Sequence, residues 1–105
     1  MEGWELGTHV WERAILRIVD ALQRTKETVA TIDIYTALEQ GTFKELTEQD
    51  LRKPPEWGGL PAYQYLVLTY LSKLTRGKTP DLDRVSRGVY RITDKGKRRI
   101  KHNVL

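Results

Sequence analysis

The chain contains no cysteine, one methionine and only two histidines, His9 and His102, which stand near opposite ends. The first absence removes disulfides, thiolate nucleophiles and every zinc site that uses sulfur, and the scattered His leave no imidazole cluster. Neither His has an obvious Ser or Cys partner with an orienting acid, so a hydrolytic triad is not expected. No loop carries the glycine spacing that cradles phosphates, and Gly58-Gly59 reads as a turn. We therefore expect a non-enzyme, with no metal, no cofactor and no small-molecule substrate. No apolar run approaches the roughly 18 residues of a membrane span. The acidic start, Met1-Glu2-Gly3-Trp4-Glu5, lacks the basic leader and apolar stretch of a signal peptide, which points to a cytoplasmic protein without a membrane partner.

What is present fits one domain. A chain of 105 residues has interior enough for one core and not for two, so a single unit over 1–105 is expected, with flexible ends at 1–8 and 103–105. With 39% hydrophobic residues, three Trp and five Tyr, the chain can bury a core, which argues against disorder. Charge divides unevenly along it. Met1 to Ser72 holds seven Lys/Arg against eleven Asp/Glu, a balance of −4, whereas Lys73 to Leu105 holds eleven against three, a balance of +8. One strongly positive surface follows, which implies nucleic acid or an anionic membrane as the partner.

Periodicity places the elements. Val10, Trp11, Ala14, Ile15, Ile18, Val19 and Leu22 recur at helical spacing and predict a helix from about His9 to Arg24, capped by Thr8. A second, short helix starts after Thr31, carries Ile32, Tyr35 and Leu38 on one face and stops at Gly41. Thr47 with Asp50 approximates a capping box for one or two further turns, which Pro54 and Pro55 end, and Pro54 to Gly59 reads as a stiff loop. Pro61 then opens the longest apolar helix, Ala62 to Leu74, with Leu60, Tyr63, Leu66, Val67, Tyr70, Leu71 and Leu74 facing inward. Leu82–Val85 and Val89–Thr93, around Ser86-Arg87-Gly88, predict a hairpin with Tyr90 and Ile92 on one face and Val89 and Arg91 on the other. Thr93 caps a final helix, Asp94 to His102, despite Gly96.

This order predicts an α+β, mainly helical winged helix-turn-helix: a three-helix cluster, a β-hairpin wing and a C-terminal helix. The chain also resembles the N-terminal winged-helix domain of Mrr-type restriction proteins. Leu68-Thr69-Tyr70-Leu71-Ser72-Lys73 in the long helix and Arg87-Gly88-Val89-Tyr90-Arg91-Ile92-Thr93-Asp94-Lys95-Gly96 in the wing carry the likeness, which runs from about Ala14 to Ile100. The Arg76–Asp81 connection is longer than in that family, and no nuclease domain follows, so the resemblance implies binding of DNA, including modified DNA, and not its cleavage.

The candidate contacts follow from the fold expectation. Tyr65, Thr69, Ser72 and Lys73 lie on the long helix away from its core face, where a recognition helix meets the major groove. Arg84, Arg87 and Arg91 on the wing, with Arg76 and Lys78 in the preceding connection, suit phosphates or a narrow minor groove. Lys95 opens a terminal run with Lys97, Arg98, Arg99 and Lys101 that reads as a solvated face around an inward Ile100. Asp81 and Asp83 read as turn-forming acids, Trp11 as core, and Trp4 or Trp57 as part of a self-association patch. The resulting expectation is a non-catalytic double-stranded DNA-binding protein, a transcriptional regulator acting by occlusion as a homodimer. A modified-DNA-binding module and a protein-interaction adaptor are the alternatives, with RNA as a further possible partner.

Overall fold

The computed structural model describes the backbone of residues 2–102 and the side chains of 10–56 and 58–101. The expectations for the side chains of Trp4, His9, Trp57 and His102, and for 103–105, lie outside the described residues. The first helix, α1 (Glu2–Leu22), is 21 residues long, about 30 Å at 1.5 Å per residue. It begins well before His9, with 2–8 already helical, so Thr8 lies inside the helix and not at its N-cap position. Glu2 and Glu5 suit the positive end of the helix dipole, which favours the earlier start. Trp11, Ala14, Ile15, Ile18 and Val19 are buried as the periodicity predicts, and Leu16 joins them, while Val10 is exposed. The buried stripe is wide because α1 packs against three other helices and the central strand of the sheet.

A two-residue strand, β1 (Val29–Ala30), precedes α2 (Thr31–Glu39). Two residues are too few to show an alternating pattern, and β1 was not anticipated. Its pairing with the later hairpin decides how α2 begins. The Ala30 amide donates to the Asp33 carboxylate at 3.0 Å, and Ile34, Ala37 and Leu38 turn inward. Ile32, expected on the core face, is 64% exposed. The expected cap at Thr31 is replaced by Ala30, because Thr31 is already helical and its hydroxyl donates across to Gly88 O at 3.3 Å.

The capping box forms at α3 (Glu48–Leu51): Asp50 N donates to Thr47 Oγ1 at 3.2 Å and Thr47 N donates to Asp50 Oδ2 at 2.9 Å. A short 3-10 turn, Pro55–Trp57, occupies the expected stiff loop. The helix α4 (Ala62–Leu74) has the predicted bounds. Tyr63, Val67, Leu71 and Leu74 are buried, whereas Leu60, which precedes the helix, is exposed. The hairpin β2 (Leu82–Ser86) and β3 (Val89–Ile92) adds to β1 in the antiparallel order β1-β3-β2; Tyr90 and Ile92 share one face as predicted, and that face is the buried one. The chain of described elements closes with α5 (Asp94–His102). The result is a small α+β fold in which one antiparallel sheet and the helices α2, α4 and α5 pack around α1.

Asp81, read from the sequence as a turn-forming acid, stands in a bend before β2 but is buried, 7% exposed. Its amide donates to Leu74 O at 2.9 Å, and its carbonyl accepts from Thr93 N at 3.1 Å. Its carboxylate accepts from Arg99 Nη1 at 2.7 Å, and the same guanidinium reaches Glu12 of α1. Gly96 is explained by the same contact, since a Cβ there would lie 2.3 Å from Asp81 O and 2.8 Å from Ile92 Cγ1.

Two stability predictions follow from these contacts. Gly96→Ala forces the α5–Asp81 packing apart and should cost about 2–3 kcal/mol in urea unfolding, even though Ala is the better helix former. In the second, the Ala30 bond, opposed by burial and helped by Lys26 at 3.2 Å, holds the Asp33 pKa below its ordinary 3.8. A lowered folded pKa stabilises above the unfolded value and is lost as pH falls through the folded one. Asp33→Asn should therefore flatten the acid side of the stability profile below about pH 4, measured by urea midpoints at several pH values.

Candidate nucleic-acid interface

Packing on both flanks fixes the rotation of α4. Pro61 precedes its first residue, and Ala62 N donates to Arg52 O at 2.7 Å, which sets the entry of the chain. Tyr63 donates its hydroxyl to Glu39 of α2 and meets Tyr35 edge-on at 6.0 Å. Burial, reinforced by the hydrogen bond to Glu39, raises the Tyr63 pKa above 10.0 and keeps the phenol a donor. On the other flank Tyr70 stacks on Trp11 with ring centroids 6.5 Å apart.

With those side chains inward, Tyr65, Leu68, Thr69, Ser72 and Lys73 face out. With Arg76 they line an open depression of about 370 Å³. Five of the ten predicted contact residues therefore come together: Tyr65, Thr69, Ser72, Lys73 and Arg76. Leu68, which is not among the predicted contacts, is the sixth lining residue. Among the described residues no carboxylate lines the depression. The Lys73 ammonium sits 5.3 Å from the Tyr70 ring, a cation–π contact that leaves its charge outward. Arg76 Nη2 donates to Ser72 Oγ at 3.2 Å, and Thr69 Oγ1 donates back to Tyr65 O at 3.0 Å.

The other predicted cations divide by location. Arg87 is exposed in the turn between β2 and β3, followed by Gly88 at φ 73°. That turn is pinned: Gly88 O accepts from Thr31 N at 3.0 Å as well as from the Thr31 hydroxyl. Arg84 is exposed on β2, just before the register slip between Arg84 and Ser86 that leaves Val85 48% exposed. Arg91 pairs across the strands with Asp83 and lines a separate depression of about 490 Å³ with Arg24 and Lys26, at the end of α1. Arg24 and Lys26 escaped the sequence reading because they lie far from the basic third, and only the sheet brings that turn beside Arg91. Lys26 is offset by Asp33, but Arg24 is exposed. Lys78 is exposed in the connection. Lys95 is partly drawn into the fold, donating to Thr79 O at 2.8 Å and standing 4.0 Å from Asp81.

Arg99 is the exception to the expected solvated run. Burial works against its charge, but Glu12 and Asp81 outweigh burial and raise its pKa above the ordinary value. It is a structural cation. Among the described residues no group of three His, Asp or Glu could hold a metal, and no helix is long and apolar enough to cross a membrane. No family model, curated protein or solved structure matches the chain.

This division predicts two classes of arginine and lysine. Alanine at Lys73, Arg84, Arg87 or Arg91 should leave the urea unfolding free energy within about 0.5 kcal/mol. Arg99→Ala, which strands two partly buried carboxylates, should cost about 3 kcal/mol.

Proposed function

We propose that this chain is a winged helix-turn-helix domain that binds double-stranded DNA non-covalently, with α4 toward the major groove and the β2–β3 hairpin as the wing on adjacent backbone. The observation that carries the reading is the α4 depression: two cations, two hydroxyls and a phenol on one helix face, with no acid among them. A helix of this width fits the major groove, and cations at its edge reach phosphates. The hairpin offers Arg84, Arg87 and Arg91 as exposed guanidinium groups, which bind phosphate in a planar, bidentate fashion. The pinned turn at Gly88 lowers the entropy lost when Arg87 is placed against a backbone. A protein that only binds can regulate transcription by occupying its site, and a second copy would double the phosphates it neutralises, which is the sense of the homodimer in this proposal.

The adaptor reading rests on a different place. Leu38, Glu39, Glu45, Leu46 and Leu51 line a depression of about 420 Å³, an acidic and apolar setting that suits a basic protein segment and not DNA. That reading predicts negligible duplex affinity at 0.15 M salt, where charges more than about 8 Å apart are screened.

Fluorescent duplex titration at several salt concentrations separates the two. Four to six phosphate contacts correspond to a slope of roughly −4 to −5 in log K against log salt. Arg87→Ala should weaken binding across all sequences and reduce that slope by about 1. Unchanged affinity and slope would remove the wing contact from the proposal, and a tighter complex with double-stranded RNA would redirect it.

A further inference from the structure

Resting on the DNA-binding reading, we infer that the α4 face recognises the C5-methyl of thymine, with Leu68 as the residue that decides it. Sequence readout in the major groove uses either hydrogen bonds to base edges or apolar contact with the thymine methyl. For the first, the face holds Lys73 and Arg76 toward the C-terminal end of α4, donors that suit phosphates as well as guanine, and no free carboxamide for adenine. No Asn projects from it, and Gln64, the nearest amide, turns aside to donate to Tyr63 Oη at 3.3 Å. Thr69 spends its hydroxyl proton on Tyr65 O, and Ser72 Oγ is engaged by Arg76. With Oγ1 held against the preceding turn, the Thr69 methyl is the part of that side chain left to meet a ligand.

The face is well supplied for the second. Leu68 and Tyr65 are each 43% exposed and sit inside the concave patch, not on a convex surface where an isolated apolar residue carries no meaning. Apolar side chains flanked toward the end of α4 by Lys73 and Arg76, with no carboxylate among the described lining residues, match a ligand that is anionic at its edge and apolar at one point inside. Thymine within a phosphate backbone has that pattern. A protein helix laid in the same place would put its own apolar side chains there but would lack the flanking anions that Lys73 and Arg76 are placed to meet.

The test compares otherwise identical duplexes that carry thymine or deoxyuracil, so that only the methyl groups differ. Full-length protein and its Leu68→Ala variant are titrated against both by fluorescence anisotropy. Burying one methyl is worth about a fourfold change in affinity. The native chain should bind the thymine duplex about fourfold more tightly, or more where two methyls are reached, and Leu68→Ala should bind both duplexes alike. Equal binding of both duplexes by the native chain overturns the methyl assignment while leaving DNA binding intact, as does a preference that Leu68→Ala retains. Binding of neither duplex at low salt overturns the DNA reading and this inference with it. Circular dichroism of Leu68→Ala checks that the fold is kept, as expected for a residue that is not part of the core.

Discussion

A single buried carboxylate ties together parts of the chain that lie far apart in sequence. Asp81 takes its main-chain bonds from the end of α4 and the start of α5, and its side chain holds Arg99, which in turn reaches Glu12 on α1. Burying a carboxylate costs several kcal/mol unless charge and hydrogen bonds offset it. Here Arg99 supplies both, and Lys95, 4.0 Å away, adds positive charge beside the Oδ1 atom, which lacks a hydrogen-bond partner among the described residues. Gly96 completes the arrangement, because any larger residue would push α5 off the Asp81 carbonyl. The base of the hairpin, the last turn of α4 and the final helix are therefore fixed relative to one another by one residue and its neighbours.

That clamp also changes the charge balance. The basic third contains three acids, and one of them, Asp81, is spent inside. It neutralises Arg99 and partly engages Lys95, two cations that a linear reading would assign to the surface. The remaining exposed cations, on α4, the connection and the hairpin, face fewer local acids than their sequence neighbourhood implies. The hairpin turn is held by Thr31 at the start of α2, so Arg87 is carried on an anchored support and not on a free loop. A similar economy operates on α4, where the Thr69 hydroxyl donates to the preceding turn and Ser72 Oγ accepts from Arg76.

Long, strongly patterned elements were legible from the residues. The α4 bounds, the shared face of Tyr90 and Ile92, the Thr47–Asp50 box and the Thr93 cap, whose Oγ1 accepts from Gly96 N at 3.1 Å, all rest on spacing or interactions between near neighbours in the chain. The errors came where a distant partner intervenes. Ile32 sits outward because β1 pairs with β3 and Asp33 bonds back to Ala30, which together set the phase of α2. Leu16 is buried because α1 is covered from several directions, which a single-stripe reading cannot register. For the candidate site, the face of α4 was readable from its 100° periodicity, but the grouping of Arg91 with Arg24 and Lys26 required the sheet to bring two segments together.

By itself, then, the amino-acid order determined the local elements, the exclusion of thiol chemistry and the concentration of positive charge in the last third, because these depend on residue type and on spacing within a few turns. Tertiary structure alone decided which of those charges are internal, which way α2 is turned, and which exposed side chains share a surface. The physical reason is burial: whether a carboxylate is a turn acid or a clamp, or a guanidinium a ligand-binding group or a strut, depends on which partner, many residues away, removes it from water.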